Sequence, residues 1–208
     1  AYRAAIGRVL AAYDVELVAG APRFENPDQP AYFNSVFVFR PDGEISARYD
    51  KRRLMPFAEY FPLSMIDLLR RSFGRVRTFE AARPLAPMPS RAGKLGVIVC
   101  NEAIYPDDAA TRAREGAELL ANLSNDSWVE GTEFAENQLR IATMRAIEQR
   151  RYVVRASTSG PSAIVEPTGR IVTRSQPHTL AVLTGEVRPR TDVSVYGRYG
   201  DAFAWTCL

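Results

Sequence analysis

The sequence predicts one layered α/β domain with a mixed β-sheet, and three observations predict it. Segments whose apolar residues recur at helical spacing alternate with short apolar or alternating runs. Two of those runs, residues 95–100 and 119–123, are nearly free of polar side chains, as strands covered on both faces are. Other runs are joined by tight turns at Pro41-Asp42-Gly43-Glu44 and Pro167-Thr168-Gly169, which make antiparallel hairpins. Hairpins give antiparallel neighbours and helical crossovers give parallel ones, so the sheet is mixed. At 208 residues, 46% hydrophobic and 25% charged, the chain has an ordinary globular balance and can bury a substantial core. No internal repeat or flexible linker divides it.

Taken in order, residues 4–13 carry apolar side chains at helical spacing, and residues 15–19 form a short strand ending at Gly20. Residues 25–29 are a polar loop. Residues 32–40 alternate and pair through the Pro41 turn with residues 45–49. Residues 51–62 leave the sheet as a loop, and residues 63–73 read as an amphipathic helix carrying Arg70 and Arg71. Residues 85–91 are Pro-rich. Strand 95–100 leads to a helix at 106–114 with Pro106 in its first turn, then to strand 119–123. The longest helical pattern is 134–151, with Leu139, Ile141, Met144 and Ile147 on its apolar face. Strands follow at 152–155, 162–166, 170–173 and 180–187.

Several functions are excluded early. A net charge of +3 is too small for a nucleic-acid partner. No run reaches the length of a membrane span. The single histidine, His178, lies in a polar turn, so neither a zinc cluster nor a histidine-based triad is available. Cys100 and Cys207 are too few and too far apart for a disulfide framework. Both ends read as cut: the chain starts at Ala1 without methionine or a signal-peptide core, and it stops in the apolar Ala202-Phe203-Ala204-Trp205-Thr206-Cys207-Leu208.

What chemistry the chain offers starts at Cys100, where a buried strand gives way to Asn101 and Glu102. The plainer reading is a small buried hydrophobe. If the strand continues, Glu102 shares a face with Cys100, and an acid on an apolar path needs a partner. Lys51 stands beside Arg52 and Arg53, where a solvated charge is the usual outcome. Turned inward, its ammonium would stabilise a neighbouring thiolate and a developing oxyanion. The Pro56-Phe57-Ala58-Glu59-Tyr60-Phe61-Pro62 turn would then carry Glu59 to the same place. The run Asn122-Leu123-Ser124-Asn125-Asp126-Ser127-Trp128 ends a buried strand on polar groups and an indole, a composition that suits a site edge or a helix cap. Arg145 and Glu148 are spaced to pair on the long helix. Arg70, Arg71, Arg75 and Arg77, interleaved with Leu68, Leu69 and Phe73, suit a solvated amphipathic helix or an anionic membrane surface.

In this order the segments resemble the nitrilase (carbon–nitrogen hydrolase) superfamily and, more narrowly, the catalytic domain of the apolipoprotein N-acyltransferase family. The resemblance rests on residues 49–62, Val97-Ile98-Val99-Cys100-Asn101-Glu102 and Ser124-Asn125-Asp126-Ser127-Trp128. Arg145-Ala146-Ile147-Glu148, Arg155 with Gly160 and Ser162, and Tyr196-Gly197-Arg198-Tyr199-Gly200-Asp201 also match. It implies a four-layer α-β-β-α sandwich over residues 1–200, truncated at its N-terminus, with residues 201–208 starting a C-terminal membrane segment. It implies a Glu-Lys-Cys triad with Cys100 as nucleophile and Lys51 as the lysine. Glu59 and Glu102 match further glutamates near the site, and Trp128, Tyr60 and Asn125 match the substrate cleft. No cofactor or metal is implied. The family's general-base glutamate falls before residue 1, and neither Glu16 nor Glu25 has its Pro-Glu context. Asn101 stands where the family often has an aromatic residue, and Thr158 where it often has asparagine.

The implied activity moves an acyl chain from a membrane phospholipid, through a cysteine thioester, to the N-terminal amine of a diacylglyceryl-cysteine lipoprotein. The implied place is the bacterial inner membrane, facing the periplasm, and the fragment alone is expected to be inactive. Two other functions fit the residues: a soluble amidase of the same superfamily, and a non-catalytic binding domain on the same fold.

Overall fold

A computed structural model describes residues 2–25, 32–60, 79–82, 86–127 and 132–208. Strands β1 (Leu17–Phe24), β2 (Tyr32–Phe39) and β3 (Ile45–Asp50) form an antiparallel sheet in that order. The second sheet runs β4 (Leu95–Val99), β5 (Leu119–Ser124), β6 (Val153–Ser157), β7 (Ala163–Val165) and β8 (Ile171–Arg174). In it β4, β5 and β6 are parallel, whereas β7 and β8 join by antiparallel hairpins. The mixed sheet is thus the outcome of helical crossovers first and the Pro167 turn afterwards.

Two apolar interfaces hold the layers together. Val36, Val38 and Tyr49 of the first sheet pack on Leu95, Val97, Val99 and Leu119 of the second. On the other face of the second sheet, Ile98, Leu120, Val153 and Val165 meet helices α2 (Pro106–Arg114) and α3 (Thr132–Gln149). Strand β4 serves both interfaces because successive side chains point to opposite faces. Helix α1 (Tyr2–Tyr13) completes four α-β-β-α layers, with Leu10 buried and Gly7 backed against Gly43 of the β2–β3 turn. Two short helices, α4 (Val195–Tyr199) and α5 (Ala202–Thr206), end the chain.

The structure departs from expectation in four places. Strand β4 stops at Val99, and Cys100 opens a 3-10 helix, Cys100–Ile104. The strand expected at 15–19, ending at Gly20, instead continues as β1 to Phe24 because it pairs with β2 along its whole length. The strand expected at 180–187 does not form. Leu180 and Val182 are 105% and 89% exposed, and although Val187 packs on the inter-sheet core, the segment hydrogen-bonds to no strand among the described residues. On α3, Leu139 is buried and Ile141 packs at the core's edge, but Met144 and Ile147 are exposed. Ala135, Ala142 and Ala146 are the buried apolar residues that accompany Leu139, and their small side chains let the helix lie close to the sheet. The helix expected at 63–73, with its arginines, lies outside the described residues.

Among the described residues no helix is long and apolar enough to cross a membrane. Cys100 and Cys207 are both free thiols, and His178 is exposed.

Candidate active site

The register of the first sheet sets the site in three rows facing the second sheet. Val18, Val38 and Ala47 form one row, and Gly20, Val36 and Tyr49 the next. Pro22 pairs with Asn34 in the third. There Lys51 continues the ladder, its N–H donating to the Asn34 carbonyl at 2.8 Å. At this end the two sheets enclose a cavity of about 680 Å³. Lys51, Glu59, Cys100, Asn125 and Thr158 line it, along with the apolar or small residues 18–22, Val36, Phe79 and Leu123.

Cys100 is held at the end of β4 in a left-handed conformation, with φ at 50°. A non-glycine residue there carries a backbone cost of roughly 1–3 kcal/mol, a strain found disproportionately at functional sites. The bend ends the strand and turns the thiol to the cavity, while the residue remains 7% exposed.

Lys51 is turned inward and is 1% exposed, unlike its neighbours. Arg52 and Arg53 instead pair with Asp108 of α2 at 3.2 and 3.1 Å. The Lys51 ammonium donates to Glu59 Oε2 at 2.7 Å. Glu59 also accepts from Asn34 Nδ2 at 2.9 Å and from the Met55 N–H at 2.8 Å. The loop that presents it is folded on itself: the Phe57 N–H donates to the Tyr60 carbonyl at 2.7 Å, and the Phe79 N–H to the Glu59 carbonyl at 2.8 Å. Three donors on one carboxylate leave Glu59 engaged as an anchor for the ammonium.

Glu102 does not share a face with Cys100. Because the strand ends, Glu102 turns into the protein, 1% exposed. Its Oε1 accepts from the Tyr49 hydroxyl at 2.8 Å and from the N–H groups of Arg52 and Arg53 at 2.8 and 3.1 Å. Its Oε2 accepts from the Val99 N–H at 2.8 Å and from Arg112 at 3.4 Å. One carboxylate therefore ties the residue before the cysteine to the two residues after the lysine. Burial and the nearby Glu102 charge push the Tyr49 phenol well above its ordinary range, so it stays a neutral donor.

Beneath the polar rim lies a second buried pair. Arg155 of β6 donates to Asp126 Oδ2 at 2.7 Å, to the Pro161 carbonyl at 3.2 Å and to Asn122 Oδ1. Asp126 also accepts from Ser124 at 2.5 Å and Ser157 at 2.7 Å. Burial pulls the Arg155 guanidinium below its ordinary range, and Asp126 and Cys100 oppose that shift. Above this pair, Thr158 donates to Asn125 Oδ1 at 2.8 Å and accepts from the Asp126 N–H at 3.2 Å. Gly160 allows the arrangement, since a Cβ there would sit 2.3 Å from Asp126 Oδ2. Gly160→Ala is expected to displace Asp126 and cost about 1–3 kcal/mol by overpacking, read as a lowered thermal midpoint. An unchanged midpoint would count against this role.

Of the residues singled out in the sequence, Cys100, Lys51, Glu59 and Asn125 come together on one cavity. Glu102 lies behind it, and Tyr60 is half-buried in the loop without lining it. Trp128 lies outside the described residues. Glu16 binds the Arg91 N–H at the surface at 2.6 Å, and Glu25 binds Arg23 at 3.0 Å, so neither reaches the site. Arg145 and Glu148 pair at 2.7 Å as their spacing suggested. Asn34 and Gly20 were missed. Their signal was a polar residue and a glycine inside otherwise apolar strands, each at a position whose face becomes known only with the register.

Comparison with known proteins bears on the whole arrangement. Residues 1–193 match the carbon–nitrogen hydrolase family model. An apolipoprotein N-acyltransferase of Geobacter metallireducens is 34% identical over 193 residues, covering 92% of this chain and 37% of the relative. One of Azotobacter vinelandii is 32% identical over 203 residues, covering 95% and 39%. The chain thus spans about two-fifths of the length of these curated relatives. The crystal structure of a carbon–nitrogen hydrolase from Helicobacter pylori superposes with a TM-score of 0.65 at 20% identity, covering 84% of this chain and 62% of that one, which speaks to the fold. With nearly its whole length matched by the family model, the chain belongs to the carbon–nitrogen hydrolase family.

Proposed function

We propose that this chain is the catalytic domain of an apolipoprotein N-acyltransferase. One observation carries the reading: a strained cysteine, a buried lysine anchored by Glu59 and a largely apolar wall share a single cavity. The names of the similar proteins support the acyltransferase branch. A phospholipid is the acyl donor and the N-terminal amine of a lipoprotein is the acceptor. The reaction occurs at the bacterial inner membrane, with this domain facing the periplasm and residues 201–208 leading toward the bilayer. Phe203, Trp205 and Leu208 are exposed there, as such a lead-in requires.

Two balanced steps follow. The Cys100 sulfur attacks the ester carbonyl, the S–C bond forms, the C–O bond breaks, and the thiol proton ends on the departing glycerol oxygen. The amine nitrogen then attacks the thioester, the C–N bond forms, the C–S bond breaks, and an amine proton returns to sulfur. Lys51 stabilises the oxyanion in both steps with a charge already fixed by Glu59. Proton transfer falls to the glutamate that the family carries upstream of the lysine motif. Glu59 is unsuited to it, being held by three donors. Glu102 and the Arg155–Asp126 pair act as positioning groups.

Incubating the intact protein with phospholipid is expected to add an acyl mass to the peptide containing Cys100, and hydroxylamine should remove it as a thioester. Acylation elsewhere with none on Cys100 would sink the proposal. Lys51→Met is expected to slow adduct formation by about 10²–10³-fold, the loss typical of one oxyanion donor. An amidase using water predicts turnover of a small amide and no accumulation of lipid-derived thioester.

A further inference from the structure

This inference rests on the acyl-transfer reading and concerns how long a chain the site takes. The reactive row holds Asn34 and Lys51, and Cys100, at the end of β4 in the opposite sheet, lines the same cavity. An acyl chain whose carbonyl lies at that row must run away from the charges, along the apolar wall between the sheets. The next row down is Gly20 with Val36, and the one after is Val18 with Val38. Rows on one face of a strand are about 7 Å apart. Val18 is the last residue of β1 to line the cavity, and Val38 across from it is fully buried in the inter-sheet core, so the space ends at that row. At the Gly20 row the space stays open, since Gly20, Val36 and Leu123 all line the cavity.

Nothing in the local backbone requires glycine there. Its φ is not in the left-handed region. A Cβ on Gly20 would meet Ser35 O at 3.8 Å and Leu123 Cδ2 at 3.9 Å, which is ordinary contact. Gly96 and Gly160 differ, because a Cβ at either would come within 2.8 or 2.3 Å of a neighbour. Glycine inside a strand weakens it and marks a place where something else comes close. The direction of the missing side chain, toward Leu123 across the gap, identifies that place as the cavity. We infer that Gly20 sets the length of acyl chain the site accepts, by leaving open the row beneath the reactive one.

The test uses the intact protein and phosphatidylcholines carrying either hexanoyl or hexadecanoyl chains, presented in detergent micelles. The readout is the rate of acyl mass gained on the Cys100 peptide, with iodoacetamide alkylation of Cys100 measured in parallel. Gly20→Leu is expected to lower the hexadecanoyl-to-hexanoyl ratio about tenfold or more, as losing the contacts of two or more methylenes would, while the alkylation rate holds. An unchanged ratio with unchanged alkylation overturns the inference and leaves acyl transfer standing. If wild type gains no acyl mass from either lipid, the acyl-transfer reading fails and the inference with it. Should Gly20→Leu also lose alkylation, Gly20→Ala decides. A ratio lowered about twofold or more supports the role of Gly20, and an unmoved ratio overturns it.

Discussion

Replacing Cys100 with alanine is expected to lower acyl transfer by the intact protein about 10⁴-fold or more, because the step that divides the reaction in two disappears. Among the described residues Cys100 is the one thiol on the cavity; Cys207 is exposed at the far end of the chain. Alanine adopts the strained conformation at φ 50° no more readily than cysteine, and Cys100, though buried in the inter-sheet cluster, borders the cavity with its thiol, so losing one sulfur should move stability by only about 1 kcal/mol. Loss of activity without loss of stability separates a nucleophile from a packing residue. Cys100→Ser supplies the complementary result. Any adduct it forms is an oxygen ester, markedly slower to leave under hydroxylamine than a thioester. An adduct with unaltered lability, or an alanine variant with near-normal turnover, removes Cys100 from the mechanism.

The sequence made the scaffold readable to the degree that burial leaves a pattern. Strands β4 and β5 are covered on both faces and announce themselves as apolar runs, and the Pro41 and Pro167 turns mark their hairpins. Where the apolar pattern lacked a partner it misled. Residues 180–187 read as a strand but pair with none, and Met144 and Ile147 are apolar on a face that stays wet. The site was legible as motifs and illegible as geometry. A positive φ at a cysteine leaves no trace in composition, so a continuing strand was the natural expectation and Glu102 was set beside the thiol. One backbone torsion sends it to the opposite side, into contact with Tyr49 and Arg112. Gly20 and Asn34 acquire meaning from register, which pairs them with Val36 and Pro22 and sets Asn34 in the reactive row and Gly20 in the row beneath it.

Glu102→Ala should then be among the most damaging single changes in the domain, though Glu102 does not touch the cavity. Its carboxylate accepts from a phenol, three backbone N–H groups and the Arg112 guanidinium, all inside the protein. Arg112 is 1% exposed, and its Nε and Nη1 have no partner among the described residues, so Glu102 is its charge partner. Truncating one member of a buried pair leaves an uncompensated charge and costs about 3–5 kcal/mol. Glu102→Gln keeps the shape but turns an amide donor toward N–H groups that need an acceptor, so about 1–3 kcal/mol is expected. Thermal unfolding of the intact protein measures both, in the order wild type, glutamine, alanine. The loss must also reach chemistry, since the same oxygens tie Val99, before the nucleophile, to Arg52 and Arg53, after the lysine. Below its own unfolding midpoint, the glutamine variant should therefore form the Cys100 thioester more slowly while still binding lipid. An alanine variant that melts with wild type would show that the carboxylate is not what holds cysteine and lysine in one frame.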